Sequence, residues 1–371
     1  MKLLIDDEIF YRQRFGGISK IFYEIIKRVK KDNSVELDFK NLYSENDLLL
    51  SLQIPQIKPY LRNSNFPLKG KIVRGVNHFI SHKRVNDALR IIKPDIFHPT
   101  FYSNYYFDAL KSNSKTKLVF TVHDLIHEKF GENNHYKDLA KKKKENIDRA
   151  DAIIVVSENT KKDLLEVYAN VNPDKIHVNY LAQSITDYKS TKTSLPNKYV
   201  LFVGSRSFYK GFDSMLHAFA RIRNQNPDLQ LLCTGNESFN VEEHQKLSKL
   251  GLTNYITRKA LSVSELRYAY ENAEMFVFPS NYEGFGIPIL EAFACKTPVI
   301  ISNSSSLPEI AGNAALVFEK NNNEDLAMKM NLLLSNPNLK NEMIQKGIAR
   351  EKEFSWDNHY QNTLAIYKSV C

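Results

Sequence analysis

The sequence predicts an α/β protein of two similar halves, each a mainly parallel sheet flanked by helices. Three observations carry that expectation. Short β-branched runs alternate with helical patterns along nearly the whole chain. The alternation lapses once, around Asp187–Lys198, into Lys, Ser, Thr, Asn and Pro, as a linker does. At 371 residues the chain also exceeds one ordinary core, so two domains are the default.

In the first half the candidate strands are Lys2–Ile5, Val35–Phe39, Ile96–His98, Lys117–Thr121, Ala152–Val156 and Lys175–Val178. Apolar residues at helical spacing mark Ile18–Lys31, Val85–Ile92, Tyr136–Ala150 and Glu158–Tyr168. The second half runs Tyr199–Val203, Leu229–Thr234, Ile256–Thr257, Met275–Phe278, Pro298–Ser302 and Ala315–Phe318 as strands. Its helices are Gly211–Asn224, Ser262–Glu271 and Ile287–Cys295, and Glu324–Tyr367 reads as helical with one break near Phe354-Ser355-Trp356. Two Rossmann-like halves result, residues 1–186 and 187–354. Ligands of such sheets sit beyond the carboxyl ends of the strands, so two facing halves would share one cleft.

Composition bounds the class. Hydrophobic content of 43% and charged content of 25% are those of a globular protein. No apolar run reaches the ~20 residues of a spanning helix. The start, Met-Lys-Leu-Leu-Ile-Asp-Asp, lacks the apolar core and cleavage site of a signal peptide. Cys233, Cys295 and Cys371 are far apart and in no metal spacing, as expected of reduced thiols in the cytoplasm. The net charge is +9, and the excess is uneven. From Lys58 to Lys93 there are nine Lys or Arg against one acid, Asp87, with Phe66, Ile72, Val73, Phe79 and Ile80 interleaved. Such a stretch suits an anionic membrane surface; the plain alternative is a solvated basic face. No nucleic-acid motif accompanies it, so nucleic acid is not an expected partner. The run Lys141–Lys144 reads as a solvated helix face.

The most informative segment is Phe278–Glu291. Glu283 and Glu291 stand eight residues apart, with Gly284, Phe285, Gly286, Ile287 and Pro288 between them and a buried strand before them. Strand, glycine loop and helix N-terminus together present bare backbone N–H groups that can hold a phosphate. Glu291 is expected on the first turn of that helix, where a carboxylate suits the dipole and can accept from a vicinal diol such as a ribose. Glu283 is expected to face the ligand. The combination points to a nucleotide-sugar site.

Four further segments add to it. Gly204-Ser205-Arg206 through Lys210-Gly211 follows a buried strand, and Arg206 and Lys210 are two cations that can neutralise a departing diphosphate. Phe15-Gly16-Gly17-Ile18-Ser19 lets a ligand approach the backbone closely at a helix start. It is not a full dinucleotide fingerprint, so a redox cofactor is not favoured. His123, in Thr121-Val122-His123-Asp124 at a strand end, can bond a sugar hydroxyl, with Asp124 fixing its tautomer or anchoring the loop. His98 has a similar position, and the plainer structural role is favoured for it. In Ser302–Glu309 the Ser and Asn residues can cap the following turn or touch the nucleotide, and the capping role is favoured. There is no Asp-x-Asp, zinc spacing, Walker A loop or Gly-x-Ser-x-Gly elbow, so no metal or other cofactor is expected.

With these motifs in order, the chain resembles the retaining glycosyltransferases of family 4, which have the GT-B fold. The resemblance runs through Gly16-Gly17-Ile18-Ser19, Val122-His123-Asp124, Val155-Val156-Ser157-Glu158, Val203-Gly204 to Lys210-Gly211, Glu283 to Glu291, and Phe354-Ser355-Trp356. The stretch from Ile9-Phe10 to Ser19 is most similar to the branch of bacterial mannosyltransferases of surface-polysaccharide assembly. The resemblance implies that Glu291 binds the nucleotide ribose and Glu283 the donor sugar, with Gly204, Ser205, Gly284, Phe285, Gly286 and Ile287 around the donor. It implies that Lys210 holds the diphosphate, that His123 contacts the donor sugar, and that Gly16 and Gly17 admit the phosphate. Many members carry Arg directly after the glycine equivalent to Gly204; here Ser205 stands there and Arg follows at 206. The last helix, about residues 355–371, is expected to complete the first domain. The donor implied is a nucleotide sugar, GDP-mannose favoured and a UDP-sugar open. The acceptor implied is a saccharide, lipid-linked, at the inner face of the plasma membrane. Two other classes stay open: a nucleotide-sugar epimerase or phosphorylase on the same architecture, and a non-enzymatic basic binding protein.

Overall fold

A computed structural model of the chain describes residues 1–14, 16–39, 43–44, 46–54, 58–59, 69–131, 134–235 and 238–371. Phe15 and residues 60–68 of the basic stretch therefore lie outside the described residues. Two compact units emerge, Met1–Tyr180 with Trp356–Cys371, and Leu181–Ser355.

The first unit holds β1 (Lys2–Ile5), β2 (Glu36–Phe39), β3 (Tyr43–Ser44), β4 (Lys58–Pro59), β5 (Ile96–His98), β6 (Lys117–Val122), β7 (Ala152–Val155) and β8 (Ile176–Val178). Six of these form one parallel sheet in the order β2-β1-β5-β6-β7-β8. Helices cover both faces, which is why Leu3, Leu4, Ile5 and all of β7 are buried and read as unbroken apolar runs. The order reverses between β1 and β5, so the loops after those strands are placed side by side. Bonds from backbone N–H groups to side chains tie them there: Ile9 N donates to Thr100 Oγ1 (3.0 Å), and Thr100 N to Asp6 Oδ1 (2.8 Å). The last helix, Trp356–Val370, packs in this unit. Asn179 Nδ2 donates to His359 O (3.0 Å) and Thr363 Oγ1 (2.9 Å), and Arg28 pairs with Asp357 at 2.7 Å. His98 is a core residue: Nδ1 meets Tyr367 Oη at 2.6 Å and Nε2 meets Thr121 Oγ1 at 2.8 Å.

The second unit holds β9 (Tyr199–Val203), β10 (Gln230–Thr234), β11 (Ile256–Lys259), β12 (Met275–Phe278), β13 (Val299–Ser302) and β14 (Ala315–Phe318). They form a parallel sheet in the order β11-β10-β9-β12-β13-β14. Counted within the unit this is 3-2-1-4-5-6, the doubly wound order that opens a crevice beyond strands 1 and 4. Phe202, Met215, Phe219, Leu231 and Val277 lie in its core.

Three expectations need correction. The helix expected over Val85–Ile92 begins far earlier: an α-helix runs Lys69–Asp87 and a π-helical turn continues over Ala88–Ile92 to Lys93, whose φ is 51°. Its first turns are basic and weakly amphipathic, so periodicity hides them. The C-terminal segment breaks at Asn336 as well as near Ser355, because Asn336 accepts from Leu339 N (3.0 Å) and Pro337 can only open a helix. Lys143 is not solvated; its side chain is 0% exposed.

Candidate active site

The site residues of the second unit come from the two loops at its switch point. After β9 the chain turns at Gly204 (φ 119°), makes a short helical turn over Phe208–Lys210 and passes through Gly211 in the left-handed region (φ 68°). A side chain at Gly211 would put a Cβ 2.0 Å from the carbonyl oxygen of Pro279. Only glycine allows the two loops this approach. Asn281 N then donates to Tyr209 O (2.7 Å), and Lys210 Nζ donates to Glu283 Oε1 at 2.6 Å. This pair is mostly buried, with side chains 19% and 12% exposed.

Ser302 at the end of β13 and two serines after it hold the second loop. Ser302 Oγ donates to Ser280 O (2.5 Å), Glu283 N donates to Ser305 Oγ (2.8 Å), and Ser306 Oγ donates to the carbonyls of Glu283 (3.0 Å) and Phe285 (2.7 Å). The expected capping role is thereby corrected. Ser306 does stand at the N-cap of Leu307–Ala311, but its side chain makes no capping bond, because it is turned to the glycine loop instead. Ser304 Oγ, also buried, has no partner.

Buried Gly284 and Phe285 lead to Gly286 (φ 118°), the N-cap of the helix Ile287–Ala294. With Gly286 left-handed and Pro288 at the second position, the helix starts at Ile287. Glu291 is then its fifth residue, on the second turn and not the first as expected. Tyr270 Oη donates to its Oε2 at 3.2 Å. No side chain caps the N-terminal amides of this helix, which leaves them directed at an incoming anion.

Arg206 also departs from the expected position. Its guanidinium is 4% exposed, bonded to Glu243 through Nε (2.6 Å), and lies over the Phe239 ring at 4.7 Å. It also donates to Ser238 O at 2.8 Å. An acid and an aromatic ring draw it in among the side chains, so Lys210 alone of the two cations meets Glu283. Ser205 Oγ lies 3.2 Å from Ser207 Oγ, and an added Cβ at Gly204 would meet nothing within 4 Å.

Gly16, Gly17 and His123 lie in the first unit. Gly17 opens the helix Gly17–Val29, and a Cβ there would meet nothing within 4 Å, so its backbone is approachable. Gly16 is extended (φ 173°), and a Cβ there would meet the Gln13 side-chain amide. His123, just past β6, is buried; its N donates to Tyr102 Oη (3.4 Å) and its Nδ1 has no partner. Burial pushes its pKa down to about 4, so the ring is neutral at physiological pH. Of the two roles expected for Asp124, the structure shows the anchor: Oδ1 accepts from Ile126 N at 3.1 Å.

Comparison with known proteins decides the family. The family described as "Glycosyltransferase Family 4" matches residues 52–182, and "Glycosyl transferases group 1" matches residues 185–350. The chain belongs to the family 4 glycosyltransferases. O-antigen chain mannosyltransferase B of Escherichia coli is 28% identical, with 95% of this chain and 96% of that protein covered. Serotype-specific mannosyltransferase WbdA of Escherichia coli is 24% identical over 88% of this chain, which spans 42% of that protein. Among solved structures, sucrose-phosphate synthase of Thermosynechococcus elongatus superposes with a TM-score of 0.75 at 18% identity, covering 100% of this chain and 98% of that one. HepE of Anabaena, solved with UDP and glucose, gives 0.73 at 19% identity, with 99% of both chains covered. At those identities the likeness establishes the fold, GT-B.

In this glycosyltransferase no motif announced Glu243, the partner of Arg206, nor the partners of the serines at 302, 305 and 306, although the serine run itself stood out. The serine run was the one available signal. No helix among the described residues is long and apolar enough to cross a membrane.

Proposed function

We propose that this glycosyltransferase moves a hexose, mannose favoured, from a nucleotide sugar to a saccharide acceptor, with retention of configuration and without a metal. The observation that carries the reading is the 2.6 Å contact of Lys210 with Glu283 at the switch point of the second sheet, beside an uncapped helix N-terminus. Those amides and Lys210 suit a diphosphate. Glu291, one turn further on, suits the ribose hydroxyls, and Glu283 suits hydroxyls of the donor sugar. His123 is proposed to contact the donor sugar, and Gly16 and Gly17 to admit phosphate. GDP-mannose is the favoured donor, since two Escherichia coli relatives are mannosyltransferases; a UDP-sugar remains the alternative. The O-antigen mannosyltransferase relative supports a role in surface-polysaccharide synthesis; the acceptor proposed is a lipid-linked saccharide.

The reaction proposed is front-face displacement. The acceptor oxygen bonds to the anomeric carbon on the side from which the diphosphate leaves, and the bond from that carbon to the phosphate oxygen breaks. A phosphate oxygen takes the acceptor's proton. Lys210 balances the charge that develops on the diphosphate. The test is transfer from GDP-mannose to a mannosyl lipid acceptor in EDTA. An α-linked product made at full rate supports the reading; a β-linked product, or a rate restored only by divalent cation, contradicts it.

A peripheral membrane position is proposed for the basic stretch. Phe79, Ile91 and Ile92 are exposed along it, together with Lys83, Arg90 and Lys93. Apolar side chains among cations suit an anionic bilayer surface. Co-sedimentation with phosphatidylglycerol vesicles at low salt tests this, and no binding there contradicts it.

A further inference from the structure

We infer that Lys143 is a positioning residue of the first unit, which fixes the loop that carries His123. The inference rests on the reading of His123 as a donor-sugar contact.

Lys143 lies on the helix Asn134–Arg149 among four lysines in a row, yet its side chain is 0% exposed. Its Nζ donates to the carbonyl oxygen of Asp124 (2.9 Å) and to Glu128 Oε2 (2.7 Å). The same ammonium stands 4.8 Å from the centroid of Tyr102. Tyr102 in turn accepts the backbone N–H of His123, with the two ring centroids 6.2 Å apart. Lys143 therefore reaches the residue after His123 directly and His123 itself through Tyr102. Glu128 is held by Tyr168, whose Oη donates to Oε1 at 2.8 Å, so the charge below the loop is fixed in place.

A buried ammonium carries a cost unless it is paired and used. The ammonium has three protons to satisfy, and one of its two hydrogen-bond acceptors is a carbonyl of the loop that carries His123, so the bond that satisfies the charge also ties the helix to that loop. The electrostatics agree with the geometry. The groups facing the imidazole are Asp124 on its own loop, His98 at the end of β5, His359 on the last helix, and Lys143. Burial is the largest influence and lowers the pKa; Asp124 opposes it, and Lys143 and His359 add to the lowering. A neutral ring can accept or donate to a hydroxyl according to its tautomer, whereas a protonated one only donates.

The test replaces both members of the buried pair, Lys143→Met with Glu128→Leu, so that no lone charge is left inside. Two readouts are taken on the intact protein after its cooperative melting is checked. One is the titration of the His123 ring followed by NMR, with a His123→Gln spectrum for assignment. The other is kcat and KM for the donor. The inference predicts that the His123 midpoint rises by about one pH unit, the lower end of what a close charge does, and that kcat/KM falls about tenfold. A merely structural pair would change the melting temperature and leave the His123 titration where it is, which would overturn the inference. The His123→Gln variant separates the two readings. If it transfers sugar at the wild-type rate while the double variant still shifts the ring, the donor-contact role falls and the positioning of the loop by Lys143 stands. Should the double variant fail to fold, Lys143→Gln with Glu128→Gln, which removes both charges and keeps hydrogen-bonding groups, is measured the same way; an unchanged ring titration and unchanged kcat/KM would then overturn the inference.

Discussion

Lys210 and Glu283 meet at 2.6 Å although 73 residues separate them. The sheet order explains the meeting. In the second unit β9 and β12 are neighbours across the point where the winding reverses, so the loops that follow them adjoin. Lys210 ends one loop and Glu283 stands in the other. A cation and an acid are thus held together in the structure; on the proposed reading this lowers the reorganisation that donor binding and departure require.

Lys210→Ala is expected to lower turnover more than ~100-fold, as loss of one preorganised charge stabiliser does. Steady-state kcat at saturating donor checks this. A near-normal kcat would remove Lys210 from the chemistry.

Gly211→Ala is expected to cost about 1–2 kcal/mol for the left-handed backbone alone, and more because the new Cβ would lie 2.0 Å from the Pro279 carbonyl. The two loops must separate to admit it. Urea unfolding should show a lower midpoint, and turnover should fall with it. An unchanged midpoint would mean that the loops are not fixed by this contact.

Ser306→Ala removes the donor that bridges the carbonyls of Glu283 and Phe285. A loss of about 1–3 kcal/mol is expected, because buried carbonyls are left with fewer partners. The donor KM should rise, since these carbonyls frame the glycine loop. Thermal melting and donor saturation curves test both parts; stability lost with KM unchanged would make the serine structural only.

Stability should peak near pH 6.5. Burial lowers the pKa of His98 to about 3 and of His123 and His359 to about 4. Between pH 4 and 6.5 these three rings bind protons only when unfolded, so stability falls as pH falls through that window. Asp6 and Asp7 act the other way: burial raises them to about 7 and about 8. Folded they keep a proton that the unfolded chain has lost, so they favour the folded state at low pH and that advantage disappears as pH rises toward 8. With His82, also lowered to about 4, four rings less two carboxyls leaves about two protons, or about 2.7 kcal/mol per pH unit on the acid side. Urea midpoints from pH 4.5 to 8 check the sign. Stability that rises steadily to pH 8 would contradict the burial of Asp6 and Asp7 as acids.

Much of this was legible in the chain and the rest was hidden for physical reasons. Fully buried parallel strands such as Ala152–Val155 and Met275–Phe278 read as apolar runs because helices cover both faces. The glycine loop between Glu283 and Glu291 was equally visible, since Gly286 and Pro288 each have a strong local preference. Arg206 was misplaced because its partner, Glu243, lies on a helix reached only through the fold. Lys143 was hidden for a similar reason. Among four consecutive lysines, helical geometry turns one inward, and only the acid at Glu128 shows which. The serines at 305 and 306 look like cap residues from sequence, and their true partners stand 21 to 23 residues away. Local signals survive in the sequence; pairings between distant loops do not.

The most direct test of the donor site is calorimetric titration of the protein with GDP, UDP, dTDP and ADP, with EDTA present throughout. One nucleotide, GDP by preference, should bind well above the others, and Glu291→Ala should abolish that binding while leaving the melting temperature nearly unchanged. Binding of none of the four, or binding indifferent to Glu291, would contradict a nucleotide-sugar site at the switch point of the second sheet.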